Sequence, residues 1–126
     1  MSYLGIKYTI EKHIECTKEE IERGLIVACY HLGEILALLY EYAKEISKRA
    51  PSKWKKILLE KLIRHVEAKV ADMKEPSILK HRCKEWSQYK QMEVLNILRD
   101  ELNYLAIVDI TLKEKGVNGL KRLGIL

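Results

Sequence analysis

The sequence predicts an all-α protein, an up-and-down helical bundle of three long helices or four built around a long central heptad-patterned helix. Three observations carry that prediction. Apolar residues recur four and three apart from Thr17 to Arg49, a second amphipathic run follows Pro51, and a third helical pattern spans Ile78 to Lys115. Only six glycines and two prolines interrupt the 126 residues. That length suits one domain over residues 1–126 with a single core.

Residues 1–16 read two ways. Leu4, Ile6, Tyr8 and Ile10 alternate as in a strand, whereas Ile6, Ile10 and Ile14 form a helical stripe, so an N-terminal arm or a short helix is expected. Thr17 and Glu20 have capping-box spacing, which predicts that a helix starts or restarts at Thr17. From there Ile21, Leu25, Ala28, Leu32, Ile35, Leu39, Tyr42 and Ile46 form one seam, about 48 Å long if the helix is unbroken to Arg49. A seam of that length and width calls for more than one neighbour, and self-association through it into a homo-oligomer is expected. Pro51 should end the helix near Arg49.

Ser52 is placed to cap the second helix, with Leu59, Ile63, Val66, Val70 and Met73 as its apolar stripe and lysines over much of the rest. Pro76 suits the start of the next element. In residues 78–115 the apolar series lapses between Ser87 and Gln91, which predicts either a kink or a division into two helices. Gly116 reads as a helix terminator, Asn118-Gly119 as a turn, and residues 117–126 as a C-terminal tail that must dock.

Charge is unevenly spread. Residues 1–43 hold four basic and seven acidic groups, residues 44–90 fourteen and six, and residues 91–126 five of each. The middle third is thus the basic part of a chain whose net charge is +5, and such a field favours phosphate backbones or acidic protein surfaces. Two clusters stand out. Lys48, Arg49, Lys53, Trp54, Lys55 and Lys56 flank the first interhelical turn and continue through Lys61 and Arg64. Lys80, Arg82, Lys84 and Lys90 form the second cluster, interleaved with Trp86 and Tyr89. Cations can contact phosphates and exposed aromatics can stack on unpaired bases, so nucleic acid or an acidic protein is the expected partner. Glu and Lys supply 32 of the 41 charged residues, against two Gln and three Asn, a usage that resembles thermophile proteins.

Catalytic signatures are missing. The chain has no GxSxG, P-loop, GxGxxG or HExxH pattern, and no Glu-x-x-His of the kind a di-metal bundle needs. Cys29 and His31, like His81 and Cys83, are two apart and so point about 200° from one another on a helix, unsuited to one metal. No metal and no cofactor are expected, and the protein reads as a non-enzymatic binding protein or, alternatively, a structural adaptor that binds itself or a partner helix. Cys16 and Cys29 would lie about 20 Å apart on one helix, so any intrachain disulfide must use Cys83. Lacking a signal-like start, the chain is expected in a reduced cytoplasm, and Glu34 and Glu41 argue against membrane insertion of residues 25–43.

The stretch Met92-Glu-Val-Leu-Asn-Ile-Leu-Arg-Asp-Glu-Leu-Asn-Tyr104 resembles the third helix of small basic four-helix-bundle retroelement accessory proteins. That resemblance implies a ring-forming bundle that contacts nucleic acid. It covers one helix, carries no functional residue across, and is not matched by the family's C-terminal ending.

Overall fold

A computed structural model describes residues 3–126, with side chains from Gly5 onward. Among them there is no strand: α1 (Tyr3–Glu22), α2 (Val27–Lys48), α3 (Ser52–Val70), a 3-10 turn (Ala71–Met73), α4 (Pro76–Cys83) and α5 (Gln88–Arg122) follow in order. The four long helices form an all-α bundle. α2 lies at its centre, touching each of the other helices, while α1 and α3 each pack against both α2 and α5. Among the described residues no helix is long and apolar enough to cross a membrane.

The ambiguous N-terminal pattern resolves as helix, with Ile6, Ile10 and Ile14 buried along one stripe and Tyr8 facing outward. Thr17 does not start a helix. It sits in the interior of α1, fully buried, and its hydroxyl donates to the His13 carbonyl at 2.6 Å, the back-bond by which a mid-helix threonine satisfies itself.

The expected unbroken helix from Thr17 to Arg49 is instead divided. α1 ends at Glu22, Gly24 adopts φ +69°, and the Leu25 amide donates to the Glu20 carbonyl at 2.9 Å in a Schellman-type ending. Spacings of four and three ran across this break and concealed it. Ile21 therefore belongs to α1 and Leu25 to the turn, where it is 38% exposed. Ala28, Leu32, Ile35, Leu39, Tyr42 and Ile46 are fully buried on α2. The seam is covered within one chain, by the neighbours that its width called for.

α3 begins after Pro51, whose extended ψ of 147° sets the turn, and Ser52 contributes no capping bond. Its deepest stripe is Leu58, Leu62, Val66 and Val70, one position off the predicted line at its start. Leu59, Ile63 and Met73 are only half-buried against the core. Pro76 opens α4 as expected. Residues 78–115 do divide, but earlier than predicted. α4 stops at Cys83, and Ser87 caps α5 by accepting a bond from the Lys90 amide at 3.1 Å, so Tyr89, Lys90 and Gln91 are already helical.

Gly116 takes φ +66° and interrupts the helical backbone, as expected of a terminator, so α5 is two helical segments joined at a kink. The second segment runs on through Asn118 and Gly119, which form no turn, and carries Leu120, which is fully buried. The tail docks through Leu120, with Ile125 and Leu126 half-buried beside it.

α4 is short and held by specific bonds. A disulfide joins Cys29 on α2 to Cys83 on α4, Cα to Cα 5.4 Å, while Cys16 is exposed and outside it. One turn along α2, Gly33 lets the aliphatic stem of Lys80 cross so closely that a Cβ there would meet it at 2.3 Å. Lys80 then reaches Glu34 at 2.6 Å and lies 4.2 Å from the Tyr30 ring centroid. Near the other end of α2, the Tyr42 hydroxyl and Arg49 Nη1 both donate to the buried Asp109 carboxylate, at 2.8 and 2.7 Å.

Candidate nucleic-acid interface

A groove of about 450 Å³ opens between α2 and α3, lined by Lys44, Ser47, Lys48, Lys55, Lys56 and Leu59. Local sequence explains it. Lys44 and Lys48 stand one helical turn apart on α2. The short turn through Pro51 reverses the chain, and Lys55 and Lys56 then occupy the first turns of α3 opposite them. Leu59 supplies an apolar floor. Ser47 is turned inward, its hydroxyl donating to the Ala43 carbonyl at 2.8 Å, so the groove itself is lined almost wholly by apolar surface, Leu59 and the aliphatic stems of the four lysines, whose side chains are solvent-exposed around it.

Lys44 and Lys48 are each steadied by a carboxylate on their own helix, Glu41 at 3.3 Å and Glu45 at 2.9 Å, in exposed pairs that solvent screens. All four lysines are solvent-exposed. Four cations around one concave surface raise the local potential more than the same charges scattered over a convex one.

The remaining sequence candidates fall into four groups. Lys61 and Arg64 extend the exposed face of α3, and Lys84 is exposed after α4. Lys53 is exposed too, but its ammonium lies 5.8 Å from the Trp54 ring centroid, with Lys121 at 4.8 Å from the same ring. Arg49, Lys80 and Arg82 are engaged with carboxylates from elsewhere in the chain, Asp109, Glu34 and Asp72 respectively, while Lys90 makes an exposed pair with Glu93 one turn along its own helix, of the same kind as those of Lys44 and Lys48. Trp54 and Trp86 are half-buried against the core, whereas Tyr89 is 81% exposed.

Lys44 was absent from the sequence-derived set, although its i, i+4 spacing to Lys48 was visible. A second feature, His65 with Glu101 and Tyr104, carried no sequence signal because it joins α3 to α5. His65 Nδ1 lies 2.6 Å from Glu101 Oε1 and its ring stacks on Tyr104 with centroids 3.6 Å apart. Burial pushes the Glu101 carboxyl up from its ordinary 4.5, against the opposing pull of His65 and Lys69. Burial likewise raises the Tyr104 phenol. Tyr40, whose hydroxyl donates to the Lys74 carbonyl at 2.7 Å, is pushed up to about 12 by burial and by Glu67 and Glu75.

Among the described residues, no group of three or more His, Cys, Asp and Glu side chains is arranged to hold a metal ion. The chain matches no protein-family model, no curated protein and no solved structure.

Proposed function

We propose that this chain is a non-enzymatic binding protein whose α2–α3 groove takes the phosphate backbone of a nucleic acid. The observation that supports the reading is the convergence of Lys44, Lys48, Lys55 and Lys56 from two helices on one groove. Lysine ammoniums contact phosphates as point charges and carry no base code, so the groove recognises backbone and not sequence. Lys61 and Arg64 are also exposed on α3 but lie on the side of that helix turned away from Lys56 and Leu59, outside the groove.

Anisotropy of labelled single- and double-stranded oligonucleotides tests this at low salt. Lys55→Glu with Lys56→Glu should weaken binding at least tenfold, whereas Lys84→Glu, an exposed charge reversal away from the groove, should change it little. Equal effects at both sites would mean that net charge alone is sensed. Absence of nucleic-acid binding, including capture of an acidic protein instead, would reject the reading.

A further inference from the structure

The face of the bundle opposite the lysine groove combines apolar and charged side chains. α1 and α5 lie side by side and antiparallel, as the 2.7 Å bond from Gln88 Nε2 to the Ile21 carbonyl requires, and a groove of about 620 Å³ runs between them. Ile14 and Leu102 are buried at its floor. On its α5 wall, Ile107 and Ile110 are 56% and 53% exposed, although both are large aliphatic side chains. They belong to a second apolar stripe on α5, outside the line of Leu98, Leu102, Leu105 and Leu112 that faces the core.

The charges at this groove are mixed: Lys7 and Glu11 pair with one another at 3.4 Å one turn apart on α1, and the remaining two, Glu15 and Arg99, are of opposite sign. Glu15 on α1 and Arg99 on α5 both line it, and the antiparallel arrangement puts them toward the same end on opposite walls. Glu15 pairs only loosely with Lys12, at 3.5 Å on the exposed side of α1. A two-fold axis along the groove would set α1 of one copy over α5 of the other. Each Glu15 would then meet the partner's Arg99, and the contact would form twice by symmetry. The same operation covers Ile107 and Ile110.

We infer that the α1–α5 groove is the face through which two copies of this chain pair. The inference does not depend on what the lysine groove binds. It replaces the buried α2 seam as the route to self-association. Because α1–α5 and α2–α3 are opposite sides of the bundle, the dimer presents its two lysine grooves outward, on opposite flanks.

Light-scattering mass across a concentration series tests it. The expected mass is twice the 14.8 kDa of one chain. Ile107→Glu with Ile110→Glu should give the single-chain mass while leaving the helical circular-dichroism signal intact. A charge swap keeps the test decisive should that variant misfold: Glu15→Arg should weaken pairing at least tenfold, and adding Arg99→Glu should restore it. A wild-type mass of one chain at about 100 μM, above any useful dissociation constant, would overturn the inference. So would a dimer that neither the isoleucine nor the charge variants disturb.

Discussion

Reduction of the Cys29–Cys83 bridge should destabilise this protein without unfolding it, and the size of the effect follows from the chain between the two cysteines. They are 54 residues apart in sequence, and in the chain-entropy treatment a closed loop of that length is worth about 4 kcal/mol at 25 °C. The native state should survive reduction. Both thiols would stay buried, where cysteine packs as a small apolar residue, and α4 keeps Leu79 in the core and the Lys80–Glu34 pair. At roughly 4 °C per kcal/mol for a chain of this size, the melting temperature should fall by about 15 °C. The assay is thermal unfolding followed by circular dichroism, with and without a phosphine reductant, in a Cys16→Ser background that removes the one exposed thiol. Superimposed melting curves would show that the bridge adds nothing to stability, and two titratable thiols in the denatured but unreduced protein would show that it does not form.

Asp109→Ala removes the carboxylate that receives Tyr42 and Arg49 inside the bundle. About 3 kcal/mol of stability should be lost in denaturant unfolding, and a loss below about 1 kcal/mol would show that the pair contributes little beyond packing. Leu32→Lys should abolish the cooperative melt, because Leu32 has no solvent exposure; an intact fold with only a changed assembly mass would restore the seam as an intermolecular surface. The raised Glu101 carboxyl sets a pH dependence. Its folded pKa lies above its ordinary value, so its favourable contribution is full at pH below about 4.5 and is lost as pH rises through the raised value. Glu101→Gln should therefore flatten the decline of melting temperature above pH 4.5, and an unchanged pH profile would remove Glu101 as its source.

Much of the bundle was legible because burial on a helix leaves a periodic mark. The stripes Ile6-Ile10-Ile14, Ala28 to Ile46 and Leu95 to Leu112 are core in the folded chain, and Pro76 opens a helix as its fixed φ dictates. Helix ends were harder to read. The first helix ended at Gly24 while the apolar spacing continued across it, whereas Gly116, read as a terminator, does interrupt the helix but as a kink after which helix resumes. Both breaks sit at a glycine with positive φ, a local mark that the continuing apolar period masked at Gly24.

The use of Cys83 was anticipated on a premise that failed, because Cys16 and Cys29 lie on two packed helices, α1 and α2, and not about 20 Å apart on one. The choice of Cys29 as its partner required knowing that α4 folds onto α2. The basic face was legible as charge but not as shape. Arg49, Lys80 and Arg82 looked equivalent to Lys55 and Lys56 in the sequence, yet each of the three has a carboxylate partner that arrives from elsewhere in the chain. His65 and Glu101, 36 residues apart, could be joined only by the packing of α3 on α5.

If the four lysines at the α2–α3 groove neutralise phosphates, the salt dependence of affinity counts them directly. If Lys44, Lys48, Lys55 and Lys56 each displace one condensed counterion, a plot of log affinity against log salt for duplex DNA should have a slope of about −3.6. The slope for the Lys55→Glu, Lys56→Glu variant should fall to about −1.8 or shallower. A wild-type slope near zero, or a slope that the two substitutions leave unchanged, would contradict the account.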